Sequence, residues 1–174
     1  QGRYDSLGAF QSKDSPYYSW FNFKNWPHEY AAWWGIETLP ETNENNEKFT
    51  EFITGKDGVL THWMECGIKG WRLDVADELG DEFLDDLRKQ VKEDSSSEGF
   101  IIGEVWENAA DKIAYGSRRR YVQGGQLDSV MNYPFASAIL TFMRYGVAEN
   151  FMESVVTICE NYPKPALDCL MNHI

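Results

Sequence analysis

The sequence predicts an α/β fold built on parallel strands, and three observations carry that prediction. Short β-prone runs alternate with longer stretches whose apolar residues recur every three or four positions. Strands and helices that alternate in this way pair in parallel through crossover connections. The first two runs each give way directly to an acid, Asp74 after Leu73 and Glu104 after Gly103, so their carboxyl ends deliver polar groups. The chain has 174 residues, short of the roughly 250 of a whole eight-stranded α/β barrel. Four strands without evident edge protection therefore read as a segment of a larger closed barrel, although periodicity alone leaves an open sheet equally available.

Taken in order, residues 1–43 read as a loop-rich segment, dense in Tyr, Trp, Gly, Pro and Ser and without a sustained helical period. Residues 44–174 hold the α/β part. A helix is expected from Asn45 to Glu65, where Phe49, Phe52, Ile53, Val59, Leu60, Trp63 and Met64 mark one face; Gly67 stands at its end, and Gly55 and Gly58 weaken its centre. Gly70–Val75 suits a buried strand. A second helix follows, with Phe83, Leu84, Leu87 and Val91 on one face, acids early, and Arg88, Lys89 and Lys92 late, where they complement the dipole. A polar turn at Asp94–Gly99 leads to a strand over Phe100–Val105. A short helix is expected before the strand Leu127–Met131. Pro134 then opens a long helical region, broken near Gly146, that reaches about Cys159. After Pro163 and Pro165, Ala166–Met171 reads as a fourth strand.

Composition narrows the function. A net charge of −12 opposes attraction to phosphates or anionic lipid, so nucleic acid is not an expected partner. The one basic run, Arg118-Arg119-Arg120, precedes Gln123-Gly124-Gly125 and reads as a solvated loop. No run of apolar residues is long enough to span a bilayer. Cys66, Cys159 and Cys169 fit neither a metal pattern nor a disulfide framework; the expectation is reduced, mostly buried thiols, which leans toward a cytoplasmic protein. Aromatic residues form 15% of the chain, suiting a large core or a surface that stacks on sugars. A neutral substrate is the natural inference. No metal site is evident, since Asp81, Asp85 and Asp86 share a helix and make no loop cage, so solvation is their expected role.

Asp74 and Glu104 end neighbouring strands of one strand-helix-strand unit, which brings both to the same edge of a parallel sheet. Two carboxyl groups facing one bond are what glycoside cleavage needs: one attacks the anomeric carbon while the other protonates the leaving oxygen and later activates water. Arg72, two residues before Asp74 on the same strand face, can hold that acid oriented, which favours Asp74 as nucleophile. Glu104, between Gly103 and Val105-Trp106, is expected to have its pKa raised by partial desolvation, as suits an acid. Strand-end acids also serve as caps and loop ligands, and spacing does not separate those roles.

At these residues the chain resembles the α-amylase family of glycoside hydrolases, and within it the neopullulanase, cyclomaltodextrinase and maltogenic amylase group. Gly70-Trp71-Arg72-Leu73-Asp74-Val75-Ala76-Asp77-Glu78 is similar to that group's fourth-strand motif, and Gly103-Glu104-Val105-Trp106 to its fifth-strand motif. Trp33-Trp34-Gly35, Leu39-Pro40-Glu41-Thr42-Asn43 and Met131-Asn132-Tyr133-Pro134-Phe135 match as well. The resemblance implies an internal fragment with a partial (β/α)8 TIM barrel, about strands four to seven with their helices, preceded by the loop-rich segment. It implies Asp74 as nucleophile, Glu104 as general acid/base, Arg72 as partner of the nucleophile, and Trp106 and Glu78 near the leaving-group sugars. Asp77 stands where the group more often has Asn.

The third-strand motif, Asp-x-x-x-Asn-His, is absent, and the third catalytic Asp expected after Asn172-His173 is not reached before Ile174. His173 is expected to be a structural strand-end histidine. The implied activity is hydrolysis of α-1,4 and, as an extension, α-1,6 glucosidic bonds in an α-glucan through a covalent glucosyl-Asp intermediate, with the isolated fragment inactive. A transglycosylase of the same family and a non-catalytic amylase-like binding domain are the alternatives. No cofactor is expected here; the resemblance makes Ca²⁺ an option elsewhere in the parent, and exposed barrel edges make a homo-oligomer an option.

Overall fold

The computed structural model describes residues 6–94 and 99–173. Gln1, Ile174 and most of the polar turn expected at Asp94–Gly99 lie outside the described residues. The chain forms two compact units, Gln1–Gly58 and Val59–Ile174.

The first unit is loop-dominated, as its composition predicts. Its only regular pairing among the described residues is a small antiparallel hairpin, β1 (Phe23–Asn25) with β2 (Glu29–Tyr30). Single bridges tie Phe21 to Thr42 and Ala32 to Pro40. The helix α1 (Glu47–Thr54) starts where the Asn46 side chain accepts from the Phe49 amide, and Phe49 and Phe52 pack on Trp20 with ring centroids 5.5 and 5.0 Å away. The helix expected to run on to Glu65 stops here. A side chain at Gly55 would stand 2.4 Å from the Glu51 carbonyl oxygen, so this close turn of backbone requires glycine.

The second unit opens with α2 (Val59–Glu65) and is organised by a parallel sheet. Strand β3 (Gly70–Leu73) pairs with β4 (Phe100–Gly103), and β4 pairs with a third parallel strand, Ser129–Val130. Helix α3 (Asp81–Asp94) crosses between the first two and buries Phe83, Leu84, Leu87 and Val91, the face its period predicts. Ile101, Ile102, Val105, Leu127 and Val130 are buried as well and belong to the core. The sheet is an open arc with no closed barrel among the described residues.

Four expectations are corrected. β3 is not buried: its residues are half-buried or exposed, because among the described residues it has a strand partner on one side only. In place of a short helix after β4, the chain makes a hairpin, β5 (Ile113–Ala114) and β6 (Ser117–Arg118), then a wide turn at Tyr121–Gly125. The third parallel strand is therefore β7. The run Ala166–Met171 is not a strand. Pro163 and Pro165 sit at the start of a helical turn, Lys164–Leu167, and only Met171 bridges in parallel to Met131. The three cysteines are free but exposed.

The long helical region divides as expected at Gly146, whose φ of 71° caps α4 (Tyr133–Tyr145) before α5 (Ala148–Asn161) folds back on it, with Phe151 against Phe135 and Phe142. The Lys164–Leu167 turn is α6 in chain order.

Candidate active site

Leu73 and Gly103 are paired partners at the ends of β3 and β4, so Asp74 and Glu104 are the first residues past the sheet on adjacent strands. The backbone keeps the two segments together beyond the strands: the Glu104 amide donates to the Leu73 carbonyl at 2.9 Å, and the Ala76 amide donates to the Glu104 carbonyl at 2.9 Å. A side chain at Gly103 would meet Leu127 Cδ1 at 2.4 Å, so glycine lets β4 approach the packed Leu127.

One guanidinium spans the two acids. Arg72 donates through Nη1 to Asp74 Oδ1, and its Nη2 lies 3.1 Å from Glu104 Oε2. The fork thus fixes the acids relative to each other. Their surroundings differ. The Asp74 side chain is 76% exposed, and Glu104 is 8% exposed.

Glu104 is held by four donors: the Val75 amide to Oε2 at 2.9 Å, the Tyr133 phenol to Oε1 at 2.7 Å, the Trp106 side chain and Arg72. Burial pushes this carboxyl up, but the Tyr133, Val75 and Trp106 hydrogen bonds and the Arg72 charge outweigh it and hold the group below its ordinary value. The expected upward shift is therefore reversed, because the desolvated group is surrounded by donors instead of apolar walls. Tyr133 shifts the other way, since donating to Glu104 raises its phenol pKa.

Sequence reasoning missed Tyr133 as a site residue. It opens α4 after β7, a third parallel strand ending at the same sheet edge, and that placement was the available signal. His173 packs edge-on to Tyr133 at 4.3 Å between centroids, its Nδ1 buried and without a hydrogen-bond partner among the described residues. Val75 sits in the left-handed region with φ 42°, unusual for a β-branched residue, and this turn aims its amide at Glu104.

Trp106 is 42% exposed. Glu78 lies in the helical turn Ala76–Glu78, just after Asp74 and Val75, and accepts from the Tyr115 phenol at 2.6 Å. Asp77, in the same turn, accepts from the Tyr121 phenol at 2.6 Å and lies 3.1 Å from Lys112 Nζ, which also binds Glu107. Burial pushes the Lys112 pKa down, but Glu107 and Asp77 more than offset it. Burial and the Asp77 bond push the Tyr121 phenol well up.

The solvated reading of Arg118-Arg119-Arg120 fails at Arg119 and holds at Arg118 and Arg120, which are exposed. Arg119 is 6% exposed, lies over the Tyr121 ring at 4.9 Å and donates to the Leu79 carbonyl, while Arg120 pairs with Asp85. Nor is Asp81 simply solvated, since it accepts from Gln126 at 2.8 Å. Among the described residues no group of three His, Cys, Asp or Glu side chains is placed to hold a metal ion, and no helix is long and apolar enough to cross a membrane.

Parallel strands whose carboxyl ends gather the polar side chains define an α/β class of protein, in which that end of the sheet carries the site. Comparison with known proteins makes the assignment specific: the chain belongs to the alpha-amylase family, whose catalytic-domain model matches residues 9–164. It is 31% identical over 170 residues to the cyclomaltodextrinase of a Bacillus species, a match covering 91% of this chain and 28% of that protein. It is 30% identical over 171 residues to neopullulanase 2 of Thermoactinomyces vulgaris, covering 93% and 27%. Among solved structures, the ligand-free cyclic alpha-maltosyl-(1→6)-maltose hydrolase of Arthrobacter globiformis superposes with a TM-score of 0.81 at 25% identity, covering 94% of this chain and 36% of that one. The chain thus spans about a quarter of the length of the curated relatives it matches. Its fold is a partial (β/α)8 barrel.

Proposed function

We propose that the polypeptide carrying this chain cleaves α-glucosidic bonds of α-glucans, cyclic maltooligosaccharides among them, with retention of anomeric configuration. The observation that carries this reading is the Arg72 fork, which binds a solvent-open carboxylate, Asp74, and an enclosed one, Glu104, at adjacent strand ends. In the first half-reaction an Asp74 oxygen bonds to the anomeric carbon as the bond to the leaving oxygen breaks, and that oxygen takes a proton from Glu104. In the second, Glu104 accepts a proton from water as the water oxygen replaces Asp74 at the same carbon.

The lowered pKa of Glu104 makes its resting form the ionised one, the form the second half uses. Its proton for the first half is taken up when a bound glucan excludes water and the carboxylate loses solvation. The names of the relatives, cyclomaltodextrinase and cyclic alpha-maltosyl-(1→6)-maltose hydrolase, support cyclic maltooligosaccharides as the substrate class.

The test is covalent trapping. Incubating the polypeptide with a 5-fluoro-α-glucosyl fluoride and mapping peptides by mass spectrometry should place one glycosyl group on Asp74, and Asp74→Asn should abolish it. Turnover of maltooligosaccharides without any adduct, or an adduct on another residue, would remove Asp74 from the role.

A further inference from the structure

We propose that the β5–β6 hairpin is a specificity element of this site and that Tyr115 at its tip stacks on the sugar on the leaving-group side of the bond. The proposal rests on the reading of Asp74 and Glu104 given above.

The hairpin grows from the segment that follows Glu104 and docks on the turn that follows Asp74. Its stem is pinned there by Lys112 and Tyr121 on Asp77 and by Arg119 on the Leu79 carbonyl. Its tip is pinned by the Tyr115 phenol on Glu78 at 2.6 Å. Tyr115 and Gly116, with φ of 52° and 78°, form a two-residue connection with both positions left-handed, which matches the strand twist and closes the hairpin tightly. A tyrosine in that conformation is costly, and glycine or asparagine would serve the turn alone better.

What the tyrosine adds is a ring. Tyr115 is 74% exposed, yet fixed at both its backbone and its hydroxyl, so it offers apolar area at little further cost in rotamer entropy. A pyranose presents an apolar C–H face and equatorial hydroxyls. An aromatic ring beside a carboxylate answers both, and the Glu78 carboxylate, with one acceptor site taken by the phenol, keeps others for sugar hydroxyls. Glu104 protonates the leaving oxygen and so faces the leaving sugar, and the hairpin belongs to the same strand-to-strand connection. The rival is that the hairpin only braces the Ala76–Glu78 turn.

Two substrates separate these. Maltotetraose leaves as a sugar, whereas α-maltosyl fluoride leaves as a lone fluoride with nothing for Tyr115 to hold. Tyr115→Ala should lower the ratio of kcat/KM for maltotetraose to that for the fluoride about tenfold, and Tyr115→Phe, which keeps the ring, should lower it less than about threefold. Equal losses on both substrates, which leave the ratio unchanged, would overturn the proposal in favour of a brace, and an unchanged kcat/KM for each substrate would overturn it outright. If the unaltered polypeptide turns over neither substrate, the catalytic reading has failed separately. Tyr115 is then judged by maltotetraose titrations followed by tryptophan fluorescence: weaker binding by Tyr115→Ala supports the stacking role, and equal Kd values refute it.

Discussion

Single residues here act mainly by what they donate. Burial alone would push the Glu104 carboxyl above its ordinary value, and four donors reverse the sign. Replacing Tyr133 with Phe removes the largest of the stabilising hydrogen bonds, so the carboxyl pKa rises. The alkaline limb of kcat/KM, which reports the group that must be protonated, should then move to higher pH; a limb that stays put would detach Tyr133 from the acid. Asp128 is the structural counterpart. Burial pushes it up, but Lys92 at 2.8 Å, the Ile101 amide at 2.8 Å and Arg88 at 3.1 Å hold it below its ordinary 3.8. A depressed carboxylate contributes stability that is complete above its unfolded pKa and is lost as pH falls through the folded one. Asp128→Asn should therefore cost about 2 kcal/mol at neutral pH and flatten the decline in urea midpoint below pH about 4. The positions of Asp74 and Glu104 just past their strands, and of Arg72 within β3, were legible because the end of a strand fixes the address of the residues beside it. The donors around Glu104 were not, since Tyr133 reaches it from another element and sequence order says nothing about which way a phenol points.

At the scale of elements, the legible ones are those whose pattern is local. The buried face of α3 and the break at Gly146 follow from spacing and from one glycine. Ala166–Met171 misled because an apolar run after two prolines fits a strand, yet proline at a helix start fits equally well, and only the neighbouring Val130 and Met131 decide. The β5–β6 hairpin carried no Asn-Gly signal, and its closure depends on distant partners in the turn after β3. Lys112 is one of those partners, held by Asp77 and Glu107. Lys112→Met keeps the stem length and removes the charge, so amide exchange over residues 113–119 should quicken about tenfold, or about 1.4 kcal/mol of local stability. Unchanged protection would show that the hairpin holds without that pair.

For the whole molecule, the open sheet is the dominant fact. β3 offers a strand edge unpaired among the described residues, and Leu140, Met143 and Met152 are exposed on α4 and α5. Such surfaces favour self-association. Sedimentation of the chain should show dimers or larger species growing between micromolar and tens of micromolar concentrations, and a monomer throughout that range would refute it. One contact described above also bears on how such a protein can vary over generations. The Val75 amide and the Glu104 carboxylate are 29 positions apart along the chain but joined directly. The loop and helix between them can therefore lengthen, shorten or drift in sequence without changing the spacing of Asp74 and Glu104, so diversification of the outer layer need not disturb the strand ends beneath it.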